Sequence, residues 1–409
     1  MASRLKWNLR WRLSVLMFLL YGVPGAWCPL FSLRLEELGF TPLETGWAFT
    51  TQALASLVAP LAAGQVADRW WPAERCLSFC ALAAGALLWL LAELTSPAAV
   101  FATALAFWLA MVPVLTLGVS LSFSHLPSPE RDFGGVRVWG TVGWVVPGWL
   151  LGYWFTEPAW LGMARSGRDL ADAFRLGGVL ALALGLYAWM LPHTPPRRRA
   201  ESWLAPLAAL RLLRERSFAV YCAAALGLYL TLPFLQQVVP LLLEHLGIPR
   251  PWWGPALTIS QSMEIFALVL LPWLLLRVGV RGTMLLGLLA WGTGMTVMAV
   301  GQPTWLVVAS LGCNGLCICC FLVAGQVFVN SRARGDIRAS AQGLLAFTNG
   351  LGLFLGSLLV GWVRELTGGA FPPTLAVGAV LAAALVVLFF AGFAPDGTTP
   401  ARSASEGPR

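Results

Sequence analysis

Long apolar runs with almost no charge recur along the chain, separated by short segments rich in Arg, Pro and Gly. The longest cover residues 13–33, 98–124, 176–192, 218–243, 284–330 and 343–363. About 20 such residues in an α-helix cross the roughly 30 Å hydrocarbon core of a bilayer. The runs lack the alternating polarity of a membrane β-strand. The pattern therefore predicts an all-α membrane protein.

Turn residues and charges divide the runs into twelve predicted transmembrane helices in two sets of six. The first set is predicted near residues 12–36, 43–67, 73–94, 98–124, 128–155 and 170–192. The second set is predicted near 217–246, 251–276, 282–301, 303–331, 337–365 and 372–394. We therefore expect two six-helix bundles, at 1–192 and 217–395. A basic cytoplasmic linker with an amphipathic helix is expected at 193–216, and a disordered cytoplasmic tail at 396–409.

Composition supports a lipid environment and argues against nucleic-acid binding. Hydrophobic residues make up 58% of the chain and charged residues 11%, whereas soluble domains carry about 25% charged residues. The net charge is +8, but the arginines occur in short groups between apolar runs. Most of these groups fall on one side, which the positive-inside rule assigns to the cytoplasm. We expect a multi-pass protein of the cell (inner) membrane with both termini cytoplasmic, acting as a monomer and contacting the lipid bilayer.

Glu264 is a carboxylate near the middle of the predicted eighth helix. It lies about thirteen residues, or roughly 20 Å, inside the helix, and Gln261 precedes it by one turn on the same face. Ionisable groups at this depth are costly and usually functional. Glu264 is therefore a candidate for substrate binding and for proton coupling.

Arg137 is a second deep charge, on the predicted fifth helix, with Thr141 and Trp144 one and two turns later on one face. A guanidinium, a hydroxyl and an aromatic ring at this spacing suit a ligand with polar edges and a planar ring. Burial and a nearby arginine act in opposite directions on a carboxylate, so Glu264 is expected to change protonation near physiological pH. Two alternatives remain open: Arg137 extends to the headgroups, or it forms a permanent latch with Glu264.

Other polar residues on inner helices complete a candidate cavity. Thr231, Gln236 and Asn349 are predicted to line it, although each could instead form an interhelical hydrogen bond. The sequence contains no phosphate-binding Walker motif, and its three histidines are far apart along the chain. We therefore expect no catalytic residues, no metal site and no cofactor, with the proton as coupling ion.

The layout of six helices, a basic loop and six helices resembles the major facilitator superfamily. Residues 64–69 read GQVADR, which is similar to the loop signature of that superfamily between the second and third helices. The resemblance implies two bundles that rock about a site at the midplane. It also implies that Gly64, Asp68 and Arg69 bias the conformational equilibrium.

Three further strings resemble the nucleoside:proton symporter family within that superfamily. Residues 137–143 read RVWGTVG, residues 259–264 read ISQSME, and residues 336–343 read DIRASAQG with TNG at 348–350. The resemblance implies uptake of a nucleoside together with a proton. It implies that Arg137, Thr141, Gln261 and Glu264 line the site and that Trp144 stacks on the base.

Other functions stay open at this point. An importer of a sugar or an aromatic acid would share the architecture, and so would a drug exporter with a wider, more aromatic cavity. A membrane receptor or scaffold is a further class. The deep charges Arg137 and Glu264 argue against it, because a bundle without transport activity would be more stable without buried charges.

Overall fold

The computed structural model describes residues 2–69, 71–126, 129–156, 169–195, 210–332 and 338–394. Over these ranges the chain forms twelve long helical segments. They are α1 (Ala2–Trp27, continued by Cys28–Leu30 and Phe31–Glu37), α2 (Pro42–Arg69), α3 (Ala73–Glu93), α4 (Pro97–His125), α5 (Pro129–Phe155), α6 (Ala171–Ala188), α7 (Arg216–His245), α8 (Arg250–Arg277), α9 (Gly279–Val300), α10 (Thr304–Arg332), α11 (Arg338–Leu366) and α12 (Phe371–Gly392). Ten helices in the described part are long and apolar enough to cross a membrane.

The same helix pairings occur twice, with an offset of six helices. In the first set, α1 packs on α5 and α6, α2 packs on α4, and α3 packs on α4 and α6. In the second set, α7 packs on α11 and α12, α8 packs on α10, and α9 packs on α10 and α12. The two sets meet through α2 with α11 and α5 with α8. The prediction of two six-helix bundles is confirmed, and the repeat has the symmetry of a transporter built from duplicated halves.

Two ends of the bundle are distinguished below. We call the end where α1 begins and α12 ends the terminal face, and the end between Glu37 and Pro42 the opposite face. At the opposite face α2 begins with a capping box, in which the Thr41 backbone N–H donates to the Glu44 carboxylate (2.8 Å). The Glu44 N–H donates in return to the Thr41 hydroxyl (3.2 Å). These bonds satisfy orphan donors at the helix start.

The helices differ from the predicted ones in their local geometry. α1 begins at Ala2 and not near residue 12, because no Pro or Gly interrupts the sequence before Gly22. α7 and α10 each contain a π-helical segment, at Phe234–Val238 and Ile318–Val323. Such segments insert an extra residue into a helical turn and often occur at functional sites. The apolar pattern alone does not reveal them.

Each bundle has an aromatic core. In the first bundle the Trp27 ring lies 5.0 Å from Phe31, 5.2 Å from Phe107 and 5.2 Å from Phe174. In the second, the Phe321 and Phe389 rings lie 5.8 Å apart. Packed rings have few rotamers available, so these clusters fix the orientation of the helices that face the bundle interface.

Three predicted features lie wholly or partly outside the described residues. The amphipathic linker helix falls mostly on residues 196–209, and its described remainder, Leu210–Arg214, is a short 3₁₀ helix. The tail at 396–409 lies outside the description as well. The backbone of α2 runs through Arg69, but the side chains of the predicted loop signature Gly64, Asp68 and Arg69 are outside the described part.

Candidate functional site

A cavity of about 330 Å³ lies between the two bundles. Helices α1, α2, α4 and α5 of the first bundle and α7, α8 and α10 of the second contribute to its wall. The volume lies at the lower end of the range for small-molecule sites, about 300–1,000 Å³. The cavity is therefore large enough for a small polar solute.

Close packing of α1 on α5 positions one wall of this cavity. A Cβ atom on Gly143 would lie 2.1 Å from the Phe18 carbonyl oxygen, and one on Gly25 would lie 2.6 Å from the Trp144 carbonyl oxygen. Because glycine has no Cβ, the two backbones meet without a clash. Tyr21 on α1 and Trp144 on α5 both belong to this wall.

Three of the predicted site residues line the cavity: Trp144 on α5, Gln236 on α7 and Gln261 on α8. Each lies about ten residues, or roughly 15 Å, from the opposite-face end of its helix. The Gln261 side-chain oxygen is buried and has no hydrogen-bond partner among the described residues. Gln236 belongs to the π-helical segment of α7 and is exposed to the cavity.

Arg137 and Glu264 lie beside the cavity, about one to two turns closer to the terminal face. Both side chains are half-buried. The Arg137 guanidinium lies over the Tyr21 ring, 4.1 Å from its centroid, and acts electrostatically on the Glu264 carboxyl. Among the described residues, Glu264 forms no hydrogen bond and no ion pair, so the two charges approach across the bundle interface without a direct salt bridge in this state.

The other three predicted residues have different surroundings. Thr141 is half-buried on α5, one turn from Arg137. Asn349 on α11 has a buried side-chain oxygen without a partner in the described part of the chain. Thr231 is fully buried inside the second bundle, where its hydroxyl donates to the Leu228 carbonyl (2.8 Å) and accepts from the Trp291 indole (2.9 Å). As far as the described residues define the cavity wall, none of the three belongs to it.

The wall also contains polar residues outside the set of predicted site residues, among them Trp27 and Asn314. Trp27 and Asn314 both belong to the cavity wall, and the Trp27 indole N–H and the Asn314 side-chain oxygen are buried and have no partner within the described ranges. Tryptophan is common both in interfacial belts and in cores, so sequence alone does not distinguish a cavity-facing one. Asn314 is visible as a polar residue in an apolar helix, but its direction depends on how α10 packs.

The cavity is closed toward the opposite face by contacts between the bundles. Arg250, which belongs to the cavity wall, forms an ion pair with Glu37 on α1 (2.8 Å). Arg364 on α11 pairs with Glu36 on α1 (3.3 Å). Contact between α5 and α8 is concentrated in the part of α8 nearest the opposite face, Arg250–Leu257.

A glycine pair forms the centre of the α5–α8 contact. A Cβ atom on Gly254 would lie 2.1 Å from the Gly148 carbonyl oxygen, and one on Gly152 would lie 2.4 Å from the Pro251 carbonyl oxygen. The backbones therefore touch directly. The structure represents a state in which the opposite face is closed.

Two six-helix bundles around a central cavity, with two half-buried charges beside it, define a membrane transporter of the major facilitator fold. The sequence model of the nucleoside H⁺ symporters matches residues 7–398. This chain belongs to that family, whose members are transporters and not enzymes.

Related proteins match over nearly their full length. The putative nucleoside transporter YegT of Escherichia coli (strain K12) is 29% identical, covering 93% of this chain and 93% of the relative. The xanthosine permease of the same organism is 30% identical, covering 94% of this chain and 96% of the relative. A crystal structure of the nucleoside transporter NupG superposes with a TM-score of 0.80 at 27% identity, covering 94% of this chain and 98% of that chain.

Proposed function

We propose that this chain imports nucleosides together with protons across the cell membrane by alternating access. Membership of the nucleoside H⁺ symporter family and the similarity to a xanthosine permease support a nucleoside substrate. In the proposed orientation the terminal face is cytoplasmic, as the distribution of arginines favours. The closed opposite face then corresponds to an inward-facing state.

The proposed substrate site is the cavity between Trp144, Gln236 and Gln261. An aromatic ring and two amides at one depth suit a neutral ligand that has a planar ring and several hydrogen-bonding groups. Arg137 and Thr141 on α5 and Asn349 on α11 lie outside the cavity wall in this state, and we propose that they extend the site. Thr231 supports the site indirectly, because its hydroxyl bonds hold α7 to α9.

Proton coupling is proposed to reside in Glu264 and Arg137. The observation that carries this proposal is a half-buried carboxylate next to Gln261, without a hydrogen bond to any described residue but within electrostatic reach of Arg137. Since no salt bridge among the described residues fixes the charge of Glu264, a proton can be gained or lost as water access changes. Protonation of Glu264 weakens its attraction to Arg137 and so reduces the electrostatic attraction between the two bundles.

Uptake by proteoliposomes tests the proposal. With a labelled nucleoside and an acidic exterior, the wild-type chain is expected to accumulate substrate above the equilibrium concentration. Glu264→Gln is expected to abolish this accumulation and to retain exchange of internal for external nucleoside, because the amide binds but does not titrate. Glu365→Gln, at an exposed carboxylate near the end of α11, is the matched control and should accumulate substrate normally.

Each part of the proposal has a contrary result. If the wild-type chain takes up no nucleoside from a panel of purine and pyrimidine nucleosides, the assigned substrate class is wrong. If Glu264→Gln accumulates nucleoside as strongly as the wild type, the proton is carried elsewhere.

A further inference from the structure

Gln52 on α2 is a polar residue of the cavity wall to which no role has been given above. It is half-buried and lies ten residues, or roughly 15 Å, from Pro42, where α2 begins at the opposite face. Polar side chains at such a depth are costly in a membrane protein and usually functional. The common alternative is a hydrogen bond to a neighbouring helix.

The side-chain amide of Gln52 forms no such bond. Its backbone carbonyl accepts a hydrogen bond from the Ser56 hydroxyl (2.8 Å), but the side-chain oxygen and nitrogen have no partner among the described residues. Both side-chain atoms are nevertheless accessible to a water molecule, unlike the Gln261 side-chain oxygen, which is buried. The amide is therefore available to a ligand.

The position of Gln52 around α2 turns its side chain toward the cavity and away from lipid. The exposed side chains Leu43, Trp47 and Val58 project from one side of the helix. At about 100° per residue, Gln52 is rotated from all three by about 120–180°. Ala48, one turn earlier on the same face as Gln52, also belongs to the cavity wall. The accessible amide therefore faces the cavity.

A second free amide approaches the cavity from the other bundle. Gln236 is exposed to the cavity and lies nine residues, or roughly 14 Å, from the end of α7 at His245. Its segment, Phe234–Val238, contacts α2 directly. The amides of Gln52 and Gln236 thus reach one cavity at a similar depth from neighbouring elements of the two bundles.

The chemistry of a free primary amide favours one kind of ligand group. The amide has a donor and an acceptor side by side, so a ligand edge with an acceptor next to a donor forms both bonds at once. A nucleobase has such an edge, for example N1–H and C6=O in inosine or N3–H and C4=O in uridine. Trp144, at the same depth in the wall, provides an aromatic face for the ring of the base.

We propose that Gln52 is a specificity-determining residue that binds the N–H/C=O edge of the substrate's base. The proposal rests on the proposed nucleoside transport and adds the group that this residue recognises. Two hydrogen bonds between neutral groups correspond to about a tenfold difference in affinity. A base without this edge loses at least one of the two.

Transport kinetics with base analogues test the assignment. KM is measured in the wild type and in Gln52→Met for inosine and purine riboside, and for uridine and pyrimidin-2-one riboside. Each analogue lacks the carbonyl oxygen and the ring N–H of its parent. The wild type is expected to prefer the parent by about tenfold, and Gln52→Met to raise KM for the parent by about that factor. KM for the analogue should change much less, so that most of the preference is lost.

The controls separate the lost contact from a general disturbance of the fold. Methionine has nearly the length of glutamine and adapts to its surroundings, and Gln52→Leu should give the same pattern as Gln52→Met. Gln326→Met, at an exposed glutamine on α10 outside the cavity wall, is the matched control and should keep the wild-type preference. The 2′-deoxy form of the parent should lose as much affinity in Gln52→Met as the parent does.

Several results would overturn the base assignment alone. They are a wild type without a preference for the parent, a wild type that transports nucleosides but neither inosine nor uridine, and a Gln52→Met chain that keeps the wild-type KM or raises it equally for parent and analogue. A loss that disappears with the 2′-deoxy form would place Gln52 at the ribose and overturn the assignment as well. A wild-type chain that takes up no nucleoside would overturn the proposed function together with it.

Discussion

The contact between Gly148 and Gly254 is expected to control closure of the opposite face. In Gly254→Ala the new Cβ atom would lie 2.1 Å from the Gly148 carbonyl oxygen. Van der Waals contact requires about 3.5 Å, so α5 and α8 would have to separate by roughly 1 Å or more. Overpacking of this kind costs about 1–3 kcal/mol. That cost applies to the closed state, so the population open toward the opposite face should rise about 5- to 150-fold.

A native cysteine reports this opening. All eight cysteines lie in the described part of the chain, and Cys28 is the one that belongs to the cavity wall. Cys28 directly follows Trp27 in the α1 segment and lies nine residues before Glu37, at the depth of Trp144 and Gln261. In the proposed orientation, with the opposite face outside, an impermeant thiol reagent added to whole cells should therefore label Cys28 faster in Gly254→Ala, by the factor given above.

Three variants complete the experiment. Cys28→Ser should remove the signal, and Gly152→Ala should raise labelling in the same way as Gly254→Ala, because its Cβ would lie 2.4 Å from the Pro251 carbonyl oxygen. Gly292→Ala is the matched control, since its Cβ would meet only Ala382, at 4.0 Å. If well-expressed Gly254→Ala and Gly152→Ala label at the wild-type rate, the α5–α8 contact does not close the cavity and the reasoning is refuted.

Two further predictions concern the ion pair at the opposite face and the aromatic wall. Glu37→Gln removes the ion pair with Arg250; the Glu37 side chain is 32% exposed and the Arg250 side chain 40%. Because exposed ion pairs contribute about 0.2–1 kcal/mol, Cys28 labelling should rise by no more than about fivefold. A larger rise than in Gly254→Ala would show that charge, and not backbone contact, dominates closure. Trp144→Ala should raise KM for a nucleoside about 5- to 150-fold, because stacking on a base contributes about 1–3 kcal/mol. Trp144→Phe keeps an aromatic face and should stay near the wild type, and equal uptake kinetics for Trp144→Ala and the wild type would contradict a stacking role.

The fold could be predicted from the sequence because its strongest signal is the length of each apolar run. Lipid requires every backbone polar group to be bonded within its own helix, so run length and charge placement determine the helix count. The π-helical segments at Phe234–Val238 and Ile318–Val323 were beyond such reasoning. They depend on local geometry, which the apolar pattern does not encode.

Part of the candidate site was predictable because charged and amide side chains are costly in lipid. Arg137 and Glu264 are conspicuous because a charge inside a membrane helix is rare. Thr231 has the same polarity as a ligand-binding residue, yet its hydroxyl is bonded inside the second bundle. Trp27 is apolar enough to be taken for core or interface, and only the packing of α1 shows that the residue belongs to the cavity wall. Whether such a residue faces the cavity or the core depends on the side of the helix from which it projects, and tertiary contacts determine which side faces the cavity.

Three features that the proposed mechanism uses lie at three depths along helices α5 and α8. Gly148 meets Gly254 at the closed opposite face, Trp144 and Gln261 line the cavity below, and Arg137 approaches Glu264 toward the terminal face. We expect a change in the attraction between Arg137 and Glu264 to shift α5 relative to α8, the same two helices that close the cavity. In the proposed mechanism, proton binding, substrate binding and closure are coupled because they share this helix pair, and no separate relay between distant sites is required.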